Sequence, residues 1–359
     1  MRRAARLSLA ALATVLLVGP TLAQGVGGRC DVEVLRSSDS SRFVVTRPTP
    51  GGPQNVFFGA GFLARCLNQD VRLAADSAEW YQQSGVLYLI GHVRYTEPRV
   101  RVNSDRASYF QNDERLFAEG NVDAVLPSGS TMRGPQATYY RPQRGVRVSR
   151  LEAPSRPRFT LAQQDSAGRP QEPVLIIADR VVTTNDSLVY AGGRVEITRT
   201  DFDARSDSAY LDSGTEFARL IGNPVARGKG DRSYTLKGTV LDIFSRDRAV
   251  QRVLAKREAR AASEDLLLTS DTIDLRVDQN RLQGAFAWGA SRARAVSPDR
   301  DDLRLVRLHC AGGRRGAACT RGGGWARAGS PRGGRGARQR ARGGHGARLG
   351  RRRGGTAGA

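Results

Sequence analysis

The sequence predicts an all-β repeat fold, in which an antiparallel sheet of two-strand units, each about 30 residues long, folds over on itself. Three observations predict it. A short residue pattern recurs at near-constant spacing. Within each copy, small and apolar residues alternate with polar ones. Clusters of Gly, Asn, Asp, Ser and Pro then separate the alternating stretches.

The pattern begins at Asp76, with Ala78 and Trp80 at +2 and +4, then Gly91 at +15 and Val93 two residues on. From Asp105 the same offsets give Ala107, Tyr109, Gly120 and Val122. From Asp207 they give Ala209, Leu211, Gly222 and Pro224. Asp179 is followed by Val181 and Thr183, with Gly193 and Val195 one residue early. Asp271 is followed by Ile273 and Leu275, with Gly284 two residues early. Pro135-Ala137-Tyr139 and Thr239-Leu241-Ile243 are copies without the aspartate. The starts at 76, 105, 135, 179, 207, 239 and 271 are spaced by 29, 30, 44, 28, 32 and 32 residues. The long interval holds Pro154, Pro157, Pro170 and Pro173 around Gly168, and residues 154–173 are expected to be an inserted loop.

Side chains alternate across a strand, so positions 0, +2 and +4 share one face. The second half of each unit alternates too, as in Leu87, Leu89, Gly91, Val93 and Tyr95. Turn residues such as Asn112-Asp113-Glu114 and Asp212-Ser213-Gly214 lie between, so each unit reads as strand, tight turn, strand. A glycine recurring inside a strand marks a bend or a close backbone approach. If every second strand bends at the same height, the sheet folds into a V section with an apolar interior. Alanines at +2 would keep that interior open as a trough; a fully packed jellyroll is the other reading.

The chain is expected to be exported. Arg2, Arg3 and Arg6 precede an apolar run of 12 residues, Leu7 to Val18, and Thr21-Leu22-Ala23 supplies small residues, so residues 1–23 read as a signal peptide. The run is shorter than the roughly 20 residues a spanning helix requires. Repeats are assigned to residues 24–153 and 174–306. Of the four cysteines, Cys30 and Cys66 are disulfide candidates in an oxidising compartment, two separate buried thiols being the alternative. No cysteine pair or histidine cluster has zinc spacing, so no metal or cofactor is expected.

The net charge of +22 is uneven. Residues 303–359 carry 15 Arg and no acidic residue, and 1–23 carry three more Arg, which leaves +4 for 24–302. That body lacks the basic field that attracts nucleic acid, and no nucleic-acid partner is expected. Of the 57 residues from 303, 17 are Gly, and 307–359 are expected to be a disordered Gly/Arg tail. Asp301, Leu303 and Leu305 begin an eighth unit that then stops, so the tail is read as the product of a shifted reading frame, against a basic tail that binds RNA or anionic lipid.

Ala75-Asp76-Ser77-Ala78-Glu79-Trp80-Tyr81 with Gly91-His92-Val93, and Asp105-Arg106-Ala107-Ser108-Tyr109 with Ala118-Glu119-Gly120-Asn121-Val122, resemble the repeat of the OstA/LptA family. So does Asp207-Ser208-Ala209-Tyr210-Leu211. The resemblance implies a periplasmic β-jellyroll, associated with the outer membrane, that moves lipopolysaccharide. It also implies partners: the lipid A acyl chains, other components carrying this domain joined by edge-strand pairing, and further copies of the chain. The lipid-contact candidates are Ala78, Leu87, Leu89, Val93, Ala107, Leu116, Val122, Ala137, Val195 and Ala209, which share the inward parity. Trp80, Tyr109 and Tyr139 are expected to be packing or rim residues, and Arg94, Arg99 and Arg101 to be exposed on a solvated face, contact with lipid phosphates at the trough mouth being the alternative. The regularly spaced aspartates read as structural, and no nucleophile or phosphate-loop motif is present, so no enzyme is expected. The alternative function is a structural or carbohydrate-binding β-solenoid of the envelope.

Overall fold

The computed structural model describes residues 30–295, apart from 38–42, 48–49, 60, 68, 166, 230–232, 265 and 279–280. The expected signal peptide, the start of the eighth unit and the tail, with Cys310 and Cys319, lie outside the described residues.

Among the described residues every regular element is a strand. The first six are short: β1 (Val32–Ser37), β2 (Phe43–Thr46), β3 (Asn55–Phe58), β4 (Phe62–Cys66), β5 (Arg72–Ala75) and β6 (Ser77–Tyr81). Long strands follow: β7 (Val86–Glu97), β8 (Val100–Phe110), β9 (Arg115–Val125) and β10 (Thr131–Tyr140). The middle holds β11 (Arg150–Pro154), β12 (Arg158–Gln164), β13 (Pro170–Ile177), β14 (Arg180–Thr184), β15 (Leu188–Thr198) and β16 (Phe202–Asp212). The last are β17 (Phe217–Ile221), β18 (Val225–Gly228), β19 (Tyr234–Lys237), β20 (Val240–Arg246), β21 (Ala249–Ala262), β22 (Leu266–Asp278), β23 (Arg281–Trp288) and β24 (Arg292–Ala295). All pair antiparallel in one β-jellyroll sheet that folds over along a line of corners.

Each row of the sheet crosses a corner. Strand β7 pairs through Val86–Ile90 with β6 and through Arg94–Thr96 with β5. Strand β16 pairs with β17 on one side of its corner and with β18 on the other. The sheet thus has two walls. The first wall holds β6, β11, β14, β17, β20 and the matching arms of the long strands; the second holds β5, β12, β13, β18 and β19.

Two residues slip out of the ladder at a typical corner. In β7 the register shifts between Ile90 and Val93, and the residues skipped, Gly91 and His92, have φ of 77° and 44°. Gly120-Asn121, Gly193-Arg194 and Gly222-Asn223 repeat this pair of left-handed residues. An aspartate at the corner of the neighbouring row packs on each glycine. A Cβ on Gly91 would lie 2.9 Å from Cγ of Asp76 and closer still to its carboxylate; Gly193 stands likewise to Asp179. The residue after the glycine then binds that carboxylate. His92 Nδ1 lies 2.7 Å from Asp76 Oδ2, and Asn121 Nδ2 donates to Asp105 Oδ2 at 2.9 Å. Arg194 Nε donates to Asp179 Oδ1 at 3.0 Å. The repeat reads as a corner device: glycine supplies the left-handed φ and the clearance, and aspartate locks the turn from outside.

Two expectations need correction. Gly284 is not the corner glycine of the Asp271 unit. It pairs with Arg276 inside the ladder, and Gly289 (φ 95°) packs on Asp271 instead. Residues 154–173 are not an inserted loop. Arg158–Gln164 and Pro170–Ile177 are paired strands whose Phe159, Leu161, Val174 and Ile176 are buried. The prolines mislead because they sit where strands tolerate them. Pro154 and Pro157 flank the corner at Ser155-Arg156, and Pro173 falls at a register shift of the hairpin. The ladder from β10 through β11 to β14 is continuous, so the repeats before and after form one sheet.

Candidate functional site

The space between the walls is wedge-shaped, and residue size follows the wedge. Beside the corner, the first wall carries one line of cross-strand neighbours: Ala78, Leu89, Ala107, Ala118 and Ala137. It continues through Ala153, Val181, Ala191 and Ala209. Two residues further from the corner runs a second line: Trp80, Leu87, Tyr109, Leu116, Tyr139 and Leu151. Walls converge at the corner, so small side chains fit there and large ones fill the wider part.

All ten lipid-contact candidates face this interior, at 0 to 5 % exposure. Ala78, Leu87, Leu89, Ala107, Leu116, Ala137 and Ala209 lie on the first wall. Val93, Val122 and Val195 lie on the second, just past a corner. The interior is filled: Tyr95, Tyr109, Tyr139 and Phe159 are fully buried beside the leucines. A small cavity of about 70 Å³ remains between Leu161, Val174 and Ile197 on one wall and Leu211, Phe217 and Ile243 on the other. Arg94, Arg99 and Arg101 are exposed.

Opposite the corners the two walls meet at a polar seam. Its main element is Arg141, 7 % exposed, which ion-pairs with Glu97 on the second wall at 2.8 Å and with Glu114 on the first. Tyr95 donates to Glu97 at 2.9 Å, Tyr109 donates to Glu114 at 3.1 Å, and Tyr139 also binds Glu97. Arg141 Nη2 reaches Gln69 at 2.6 Å. Tyr109 and Tyr139 thus pack through their rings and close the seam through their hydroxyls. Burial and the adjacent carboxylates push all three phenols up. Burial alone would lower the Arg141 guanidinium, but Tyr95, Tyr109, Glu97 and Glu114 outweigh it and hold it raised.

The N-terminal strand is tied to the seam. Cys30 and Cys66 form a disulfide, with Cα atoms 5.0 Å apart. The Cys30 amide donates to Glu114, and Gln111 donates to the Cys30 carbonyl at 3.3 Å. Trp80 Nε1 donates to Gln111 at 3.3 Å, which makes it a rim residue of the same cluster. Further along, Ser128 donates through its amide and hydroxyl to Asp186, both at 2.7 Å. Further still, Arg248 donates to the carbonyls of Gln164 and Ser213, each at 2.8 Å. The seam is therefore stitched at intervals, where the corner is continuous.

The sequence carried a sign of the seam. Glu97 has the inward parity of Leu87 to Tyr95, and Arg141 that of Ala137 and Tyr139. A charge on an apolar face needs a partner; which partner depends on the fold. Among the described residues no group of three His, Cys, Asp or Glu is placed to hold a metal.

No family model and no curated protein matches the chain. Among solved structures it is similar to LptH of Pseudomonas aeruginosa, described as the LptA homologous periplasmic component of the conserved lipopolysaccharide transport device. The identity is 16 % and the TM-score 0.29, over 35 % of this chain and 95 % of that one, a likeness of strand architecture alone.

Proposed function

We propose that the chain is a periplasmic lipopolysaccharide-binding and transfer protein of outer-membrane assembly. The observation that carries this reading is the pair of apolar lines that cross the rows between the walls. An acyl chain laid along them meets similar surface at each step. Shielding is worth about 0.8 kcal/mol per methylene, so a chain that stays shielded moves with little net change. The repeat's resemblance to the OstA/LptA family and the signal-peptide pattern of residues 1–23 support the same reading. Entry requires the walls to part at the seam, where the contacts are polar and water can replace them.

The packed interior favours a second reading, a structural or carbohydrate-binding β-solenoid. Fully buried Tyr109, Tyr139 and Phe159 fill space that acyl chains would need.

Photo-crosslinking in intact envelopes separates the two. A photoreactive residue at inward Leu89 or Val122 is expected to capture lipopolysaccharide, and one at outward Tyr88 is not. Adducts from Tyr88 alone, or none, would overturn the transfer reading.

A further inference from the structure

The outer face of the first wall carries a second apolar feature, separate from the interior. A groove of about 990 Å³ opens there, lined by Tyr140 and Val148 on one side and by Tyr190, Tyr210 and Ile221 on the other. Val148, Tyr190 and Ile221 are 48 %, 47 % and 44 % exposed, unusual values for large apolar side chains gathered in one place. The Tyr190 and Tyr210 rings lie 5.0 Å apart and form a continuous floor across β15 and β16.

Three arginines also line the groove, Arg147, Arg150 and Arg180, and no acidic residue does. Glu152 pairs with both Arg150 and Arg180, the latter at 2.7 Å, so one charge of that pair is left over. Arg147 spends its donors on main-chain carbonyls: Nε on Arg141 at 2.7 Å and Nη2 on Glu114 at 2.9 Å. Its charge is not met by a carboxylate there. Three cations against Glu152 leave a net charge of +2 beside the apolar floor.

We infer that this groove binds a phosphate-bearing lipid molecule, its acyl chain on Val148, Tyr190, Tyr210 and Ile221 and its phosphate at Arg147, Arg150 and Arg180. An apolar pocket of this size with a few convergent polar groups has the anatomy of a small-molecule site. The arginine forks supply the charge and geometry that phosphate oxygens take. A neutral ligand leaves the excess charge unmatched, and free phosphate leaves the apolar floor wet.

The test uses the full chain and dodecyl phosphate below its micelle concentration, read by titration calorimetry. Dodecyl maltoside and inorganic phosphate are the comparison ligands. Dodecyl phosphate is expected to bind at least about tenfold more tightly than either. Tyr190→Asp and Ile221→Asp change exposed positions and are expected to weaken it by about tenfold or more; Arg180→Gln is expected to narrow its lead over the maltoside. Val148→Asp, in the loop before β11, provides a further variant if a strand substitution perturbs the sheet. Equal binding of dodecyl maltoside, or unchanged binding by the aspartate variants, would overturn the proposal. So would sedimentation showing that these variants dissociate a dimer without altering dodecyl phosphate binding. Crosslinking from Leu89 and Val122 is unaffected by either result, so the interior and the groove succeed or fail separately.

Discussion

The Asp76 carboxylate fills the space that a side chain on Gly91 would occupy, and His92, the next residue, binds that carboxylate at 2.7 Å. The same three-part contact recurs at Asp105, Gly120 and Asn121 and at Asp207, Gly222 and Asn223. The corner is therefore a local device repeated along the molecule, and its cost of substitution follows from its geometry.

Gly120→Ala is expected to destabilise the protein by about 2–4 kcal/mol, from left-handed strain and overlap with Asp105 together. Its φ is 73°, and the new Cβ would stand 2.8 Å from Asp105 Cβ. The double variant Gly120→Ala/Asp105→Ala removes the clash with the carboxylate but leaves the Cβ contact and the strain, so urea unfolding should recover only part of the loss.

Arg141→Met strands two carboxylates, Glu97 and Glu114, each 7 % exposed or less. Removing one partner from a buried ion cluster costs about 3–5 kcal/mol. Adding Glu97→Gln and Glu114→Gln to the same variant neutralises the orphans and should return part of that stability in denaturant titration. An Arg141→Met protein as stable as the parent would mean that the seam does not hold the walls together.

Reduction of the disulfide between Cys30 and Cys66 reopens a span of 36 residues. Chain entropy alone predicts a loss of about 3–4 kcal/mol. Because the Cys30 main chain also holds Glu114 and Gln111, the reduced protein should show faster hydrogen exchange at Gln111 and Arg141, measured by mass spectrometry.

Acid should destabilise the outer face of the first wall through Asp242, which is 2 % exposed. Burial raises its pKa, but hydrogen bonds from Arg219 and Lys256 and their charges outweigh it, and the carboxyl sits below its ordinary value. The stabilisation is then fully present above the unfolded value of about 4 and disappears as pH falls through the lower folded value. In a pH series of urea midpoints, the advantage of the parent over Asp242→Asn should be constant from pH 7 to about 5 and shrink below about 4.

The period, the alternation and the corner glycines were legible because each is set by neighbours in the chain. A strand alternates whatever it packs against, and a left-handed bend selects glycine locally. Where local rules were read too literally they misled. Prolines around 154–173 suggested a loop, yet the alternation of Phe159, Leu161, Val174 and Ile176 was already that of strands. Gly284 came near the expected offset, but Gly289 occupies the corner, because a longer strand moved it.

The sequence by itself determined the all-β repeat, the inward parity and the recurrence of aspartate and glycine at near-constant offsets. Tertiary structure alone decided that Arg141 meets Glu97 and Glu114, 44 and 27 residues away, and that Tyr140, Tyr190 and Ile221 share one groove. The first set depends on backbone geometry within one or two strands. The second depends on how far the sheet folds over and twists, which is a sum over many rows and is written in no single one of them.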